Sequence, residues 1–295
     1  MKFAVFTVMT PEWDLATAAH QIAAAGYDGV EWRVQWVDSA RAGEPPSFWG
    51  NNRATVPVDR IEEEAEHVRR ITEAAGLEMA PLASYLNIAE LDRIEAVFRA
   101  AQRMGAPAVR VNVDRYDRTR RYQELYEETL ARLKPVAVLA RETGVKALVE
   151  LHFGNICPSA GLAYRLLCHF DPRHVGVIYD PGNMVAEGME NWRMGMELLG
   201  EYLAHVHIKN QIWCVDHAEP DGTVVWRCQA APLREGIVNW REVLADLRAV
   251  GYEGWLSFED FSTALPTEQK LVENLTYIKG LMKHLAHQPL GHHLL

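Results

Sequence analysis

Cysteine is scarce in this 295-residue chain: Cys157, Cys168, Cys214 and Cys228 stand far apart, with no CxxC pair among them. That spacing supports neither a disulfide framework nor a thiolate metal site, and the thiols read as reduced and structurally ordinary. Positive charge is also in deficit, with 30 Lys and Arg against 40 Asp and Glu and a formal net charge of −10. Nucleic-acid backbones are bound through Lys and Arg, so no nucleic-acid partner is expected. No apolar run approaches the ~20 residues that span a bilayer, so no membrane partner is expected either. The opening MKFAVFTVMTPEWD carries one Lys and an apolar run too short for a secretory signal. No Pro/Ser-rich linker divides the chain, and no glycine-rich phosphate loop is evident. The expectation is a single domain over residues 1–295, soluble and cytoplasmic.

What is present is an alternation of short apolar runs and longer amphipathic ones. Strands are expected at Phe3–Val8, Gly29–Arg33, Glu78–Ser84, Ala108–Val113, Lys146–His152, Val175–Asp180, Ala204–Lys209 and Trp255–Glu259. Helices are expected at Leu15–Ala25, Val58–Ala75, Ile88–Met104, Tyr122–Thr143, Gly161–Phe170, Trp192–Leu199, Trp240–Val250 and Thr267–Leu285. Gly26, Gly76, Gly105, Gly144 and Gly251 each follow the last periodic residue of a helix, where a left-handed stop belongs. Strands alternating with helices imply a parallel sheet with right-handed crossovers. The count and the length favour an α/β fold of one closed (β/α)8 TIM barrel over an open sheet.

The loops are unequal. Helix-to-strand connections such as GYDG, AGLE and GAPA are short, whereas Val34–Pro57 and Gln211–Val238 lie on the strand-to-helix side and are long. Barrel chemistry occurs on that side. The first long loop carries Trp36, Phe48 and Trp49, which suits either an aromatic lid over a polar substrate or a loop packed on the rim.

Polar residues close four consecutive apolar runs: Glu150 in KALVE, Asp180 in VGVIYD, His207 in LAHVHIK and Glu259 in GWLSFE. Burying such groups costs several kcal/mol unless something pairs with them. Strands five to eight of a closed barrel are neighbours, so these side chains can meet at one point and hold a divalent cation. Oxygen donors with a single imidazole suit Mn²⁺ first, then Mg²⁺ or Co²⁺, and also admit Zn²⁺. Period-two alternation places His152 on the side of Glu150, and His205 on the side of His207. His152 is then a candidate for substrate contact, and His205 for orienting a ligand. Lys209 continues that face, as a charge for a developing enolate or as an ion-pair partner of a rim carboxylate. Glu31, in DGVEWR, and Arg33 face the same rim, and Asn183 follows Asp180 in a Pro-Gly turn.

With AAAGYDGVEWR, VELH, YDPGN, HVHIKN and PLREGIVNWREVLADLRAVGYEGWLSFED, the chain resembles the sugar phosphate isomerase/epimerase superfamily with the xylose-isomerase-like barrel. Ketose 3-epimerases, inosose dehydratases and hydroxypyruvate isomerases belong to it, with endonuclease IV more remote. The resemblance covers nearly the whole chain. It implies that Glu150, Asp180, His207 and Glu259 are the metal ligands, and that Glu150 and Glu259 also serve as acid and base on opposite faces of the substrate. Homodimers and homotetramers are common in that superfamily, and the sequence leaves the oligomeric state open. There are departures. Many relatives carry a His where this chain has Asn183, which cannot shuttle a proton. The extra His ligands of endonuclease IV are replaced by Ser84-Tyr85 and Asn112, which argues against a three-zinc cluster.

The expected activity is therefore a metal-dependent isomerase or epimerase acting on a ketose or related polyhydroxy carbonyl compound through an enediolate. A free sugar or polyol is expected as substrate, with His152, Lys209, Glu31, Asn183 and Trp36 as its contacts. The rival enzyme is an inosose dehydratase-like lyase that uses the same intermediate. A rival of another class is a barrel that binds sugar without turnover, against which the intact ligand set argues.

Overall fold

The structure, a computed structural model, describes residues 1–287, so residues 288–295 of the expected domain lie outside it. In chain order its strands are β1 (Lys2–Phe6), β2 (Gly29–Glu31), β3 (Arg33–Gln35), β4 (Thr55–Pro57), β5 (Glu78–Met79), β6 (Ala83–Ser84), β7 (Ala108–Arg110), β8 (Lys146–Glu150), β9 (Val175–Tyr179), β10 (Leu203–Ile208), β11 (Asn210–Ala218), β12 (Val224–Ala231) and β13 (Trp255–Phe258). The helices are α1 (Leu15–Ala24), α2 (Ile61–Ala74), α3 (Leu91–Met104), α4 (Tyr122–Thr143), α5 (Ala160–Leu167), α6 (Pro181–Ala186), α7 (Trp192–Leu199), α8 (Trp240–Ala249) and α9 (Thr267–Ala286).

Eight of the strands form one parallel sheet in the order β5-β2-β1-β13-β10-β9-β8-β7. Its two edges meet through Leu82, which pairs in parallel with Val109. Leu82 N–H donates to Ala108 O at 2.9 Å, and Arg110 N–H donates to Leu82 O at 2.8 Å. The sheet is thereby closed, and α/β barrel topology accounts for the alternation read in the sequence. Strands covered on both faces read as continuous apolar runs; β9 is buried at every position. Polar atoms brought into the core find partners, as where the fully buried Trp32 donates its indole N–H to Thr72 Oγ1 at 3.0 Å.

Helix stops follow the glycine signals. Gly105 and Gly144 take left-handed φ values of 77° and 71° directly after α3 and α4, a region that costs a Cβ-bearing residue about 1 kcal/mol or more.

Three differences from the sequence expectation have local causes. The expected strand Glu78–Ser84 is broken into β5 and β6, because Pro81 has no N–H to give the ladder. The loop Val34–Pro57 contains structure of its own: β4 returns parallel to β3, which also pairs with β6, giving a three-stranded patch on the barrel mouth. The loop Gln211–Val238 is chiefly an antiparallel ribbon, β11 against β12. Its turn contains Asp221-Gly222, with Gly222 at φ 88°, and Asp-Gly between alternating apolar residues is a hairpin signal.

Candidate active site

Adjacent staves β8, β9, β10 and β13 present their C-terminal ends to one point. Glu150 ends β8, Asp180 follows β9, His207 lies near the end of β10 and Glu259 follows β13. One ligating atom from each of these four side chains lies within 4.8 Å of the others, and all four are buried. His207 Nδ1 is 3.1 Å from Glu150 Oε1, 3.5 Å from Asp180 Oδ2 and 3.6 Å from Glu259 Oε2. Its other nitrogen, Nε2, is 3.1 Å from Glu31 Oε1. Glu31 reaches from β2 and holds His205 Nε2 at 2.9 Å with its second oxygen. Glu31 thus fixes the imidazole so that Nδ1 is the atom turned toward the three carboxylates, the arrangement that orients metal-binding histidines. Three carboxylates and one nitrogen at this spacing fit a divalent cation that prefers oxygen. A second grouping, Glu31 with His205 and His207, shares His207. It offers a single carboxylate and reads as support for the first.

Local sequence explains how Asp180 serves two purposes. Its Oδ1 caps α6 by accepting the Asn183 N–H at 2.9 Å, leaving Oδ2 for the cluster. Pro181 opens that helix, where a missing N–H is harmless. A Cβ at Gly182 would come within 2.4 Å of Lys209 Cγ, so only glycine lets the lysine pass. Lys209 Nζ then lies 2.7 Å from Glu259 Oε2 and 2.9 Å from Asp180 Oδ2.

The two glutamates are held differently. Asn183 Nδ2 donates to Glu150 Oε1 at 3.2 Å, and Arg110 Nη1 donates to Oε2 at 3.0 Å. Burial alone would raise the Glu150 carboxyl, but Arg110, His207 and His152 outweigh it and hold the group well below its usual range. Burial dominates at Glu259, which is pushed up despite Lys209 and His207. Burial would also lower the His207 imidazole, but Glu31 above all, then Asp180 and Glu150, hold it well above its ordinary value.

Above the cluster opens a cavity of about 700 Å³. Glu150, His152, Asn183, Lys209 and Glu259 line it. Asp180, His207 and Glu31 are fully buried and are not among the lining residues. Trp36 is 48% exposed, sits 4.9 Å from the Arg93 guanidinium and is not among the residues lining the cavity. The aromatic that the long loop contributes is Trp49, against Phe261 and Tyr85 with ring centroids 5.0 and 6.3 Å apart. His152 stacks on Phe153, with Nδ1 2.7 Å from the Phe153 carbonyl oxygen. Sequence reasoning missed Arg110 and gave Tyr85 no role beyond replacing a histidine. The available signal was a lone Arg inside the apolar run AVRVNV, spaced by two from Asn112. Another cavity, about 670 Å³, lies among Lys146, Tyr252 and Trp255 and meets none of the four clustered residues.

A closed barrel with a carboxylate–imidazole cluster at the C-terminal ends of its strands defines the class of (β/α)8 proteins with a candidate metal centre. The chain belongs to the xylose isomerase-like TIM barrel family, whose pattern it matches over residues 19–281. It is similar to an inosose dehydratase of Geobacillus thermodenitrificans, 25% identical over 160 residues, which make up 50% of this chain and 52% of that protein. The chain therefore spans about half the length of the curated relatives it matches. In fold it resembles the 3-keto-D-glucoside 4-epimerase YcjR from E. coli, with a TM-score of 0.70, 17% identity, and 95% and 99% of the two chains covered. It also resembles a xylose isomerase-like TIM barrel protein from Mycobacterium smegmatis in complex with magnesium, with a TM-score of 0.67, 17% identity, and 96% and 97% covered. Among the described residues no helix is long and apolar enough to cross a membrane.

Proposed function

We propose that the protein is a divalent-metal-dependent enzyme that moves a proton at carbon next to a carbonyl, as an isomerase or epimerase of a ketose or related polyhydroxy compound. The observation that carries this reading is the convergence of Glu150, Asp180, His207 and Glu259 beneath a cavity that two of them line. These four residues would hold the cation, Mn²⁺ before Mg²⁺, Co²⁺ or Zn²⁺. Bound there, it would supply Lewis acidity to vicinal carbonyl and hydroxyl oxygens of the substrate.

The chain's own residues supply the rest. Glu259 faces the cavity with its carboxyl raised, which suits a group that takes and returns a proton near neutral pH. Glu150 has both oxygens engaged and its basicity suppressed, so it is the poorer of the two proton carriers. Lys209 stands beside Glu259 as a fixed positive charge for an oxygen that becomes anionic. Asn183 lines the cavity, and its buried side-chain oxygen has no partner, which leaves it free to accept from a substrate hydroxyl.

The second reading, a lyase of inosose dehydratase type, is favoured by that asymmetry. Epimerisation needs two competent groups on opposite faces, whereas loss of a β-hydroxyl from the same face can use one group, with Glu259 taking the proton from carbon and giving it to the departing oxygen. The likeness to inosose dehydratases points the same way. Metal analysis of the purified protein comes first. NMR in D₂O with ketoses and inososes then separates the reactions: deuterium entering carbon without loss of water supports the isomerase, and a dehydrated product supports the lyase. A protein that binds no divalent ion, and whose properties Glu150→Gln leaves unchanged, would end both readings.

A further inference from the structure

Two buried guanidinium groups flank one tyrosine at the cavity edge, and the structure gives them one carboxylate between them. Arg110 is 3% exposed; its Nε donates to Ser84 O at 3.0 Å and its Nη1 to Glu150 Oε2 at 3.0 Å. Its Nη2 has no partner, although Arg110 lines the cavity. Its Cζ lies 4.2 Å from the Tyr85 ring centroid; Tyr85 also lines the cavity, and its buried hydroxyl, beside both guanidinium groups, makes no hydrogen bond of good geometry. On the same tyrosine, at 5.2 Å, rests the guanidinium of Arg33, which is 5% exposed. Arg33 Nη1 donates to Thr55 Oγ1 at 2.5 Å, its Nε has no partner, and no carboxylate among the described residues lies within ion-pair distance of it. A buried cation without an anion is costly, and here the deficit coincides with buried, unsatisfied donors on two residues that line a substrate-sized cavity.

We propose that the Arg33–Tyr85–Arg110 cluster is a carboxylate-recognition site, and that the substrate is an acidic polyhydroxy compound, a sugar acid, rather than a neutral ketose. This rests on the preceding reading only in taking the cavity as the substrate site. The unsatisfied donors on residues lining the cavity are Arg110 Nη2 and the Tyr85 phenol, with Arg33 Nε on a residue off the lining, and so small a number fits a planar monoanion. A phosphate dianion is bound by several convergent amides or a helix N-terminus, and the nearby Glu150 and Glu259 would oppose its second charge. With its carboxylate against Arg110, the polyol chain would extend toward Asn183, Lys209 and Glu259 on the far side of Glu150.

Calorimetry with D-gluconate and D-glucitol tests it, since the two share a six-carbon polyol skeleton and differ in the carboxylate. Each is titrated into wild type, Arg110→Met, Arg110→Lys and Arg33→Met, with and without Mn²⁺. Gluconate should bind wild type about tenfold or more tighter than glucitol, a difference of about 1.4 kcal/mol. The preference should vanish in Arg110→Met, shrink in Arg33→Met and survive in part in Arg110→Lys. Should Arg110→Met not fold, Arg33→Met carries the comparison, because that residue does not touch Glu150. Equal binding of the two probes overturns the proposal. So does a preference that persists unchanged in both the Arg110 and Arg33 variants, which would place the carboxylate on the cation cluster instead, and so does Arg110-dependent binding of inorganic phosphate tighter than that of gluconate. If no metal binds, the proposed function fails, while the gluconate preference of the metal-free protein still reads the arginine site.

Discussion

The two halves of the barrel mouth are made of different chemistry. Staves from the second half of the chain, β8, β9, β10 and β13, end in carboxylates and an imidazole drawn onto one point. Those from the first half, the buried Glu31 of β2 apart, bring guanidinium, amide and aromatic groups to the mouth: Arg33, Tyr85, Arg110 and Asn112. One side concentrates negative charge around His207 and Lys209, where the proposed cation would sit; the other holds positive charge and unsatisfied hydrogen-bond donors. Arg110 Nη1 on Glu150 Oε2 is the seam between them. A barrel permits this division because each stave delivers one or two side chains to a shared rim whatever its place in the sequence. The difference suggests that reaction and recognition are carried by opposite arcs, joined through a glutamate that cannot move without disturbing both.

Breaking the carboxylate arc should have the largest effect. Asp180→Asn keeps an acceptor for the α6 cap but removes one carboxylate of the proposed ligand set. Its divalent-metal affinity, followed by competition with a chelator, should fall beyond the about 10–100-fold expected for losing an outer partner. Retention of wild-type affinity would remove Asp180 from the ligand set. Breaking the seam comes next. Arg110→Met leaves Glu150 Oε2 buried without its cation while His207 and Asn183 still hold Oε1, and should lower unfolding stability by about 1–3 kcal/mol. Adding Glu150→Gln should return part of that loss, because the double variant no longer buries an unmatched charge. Additive losses in denaturant melts would mean that the pair is not coupled.

The carboxylate arc was legible in the sequence because its residues terminate apolar runs, so a strand count alone placed Glu150, Asp180, His207 and Glu259 together. The guanidinium arc was less so. Arg110 sits inside a run rather than at its end, and its partner Glu150 is forty residues away, so nothing local marks the pair. Trp36 and Trp49 belong to the same loop. Which of them turns toward the cavity depends on the return of β4 along β3, a tertiary pairing with no sequence periodicity. The β11–β12 ribbon was readable from Asp221-Gly222 and the alternation around it; length alone made it look like an irregular loop. Asn183 shows the opposite limit. Its identity warned that proton shuttling would differ, but only the geometry shows it spanning Glu150, Asp180 and Leu151 O.

Glu31 sharpens the comparison from beneath, since it belongs to the first half of the chain yet serves the second. Glu31→Gln should weaken the proposed metal binding about 10–100-fold while leaving the four clustered side chains in place. The sign of the pH effect follows from His207. In the metal-free protein its imidazolium is held above the ordinary histidine value of about 6.5. The stabilisation it gives is complete below that value and is lost as pH rises through the raised one. A cation must expel this proton to reach Nδ1, so metal affinity should increase with pH across that window. Titrations in buffers of different ionisation enthalpy should show proton release; heats independent of buffer would contradict it.

The smallest effects distinguish the two tryptophans. Trp49 is 57% exposed yet touches Tyr85 and Phe261 over the cavity, whereas Trp36 packs on Arg93 outside it. If Trp49 covers bound substrate, Trp49→Ala should raise KM several-fold with little change in kcat, the mark of binding shared by ground and transition states. Trp36→Ala removes a surface cation–π contact and should change stability by about 0.5–1 kcal/mol, without moving KM. Equal KM effects from both substitutions would mean that the loop acts as one unit, closing over substrate in a way that brings Trp36 inward. The split between the two positions is therefore the measurement that decides whether this loop is a lid or part of the barrel's wall.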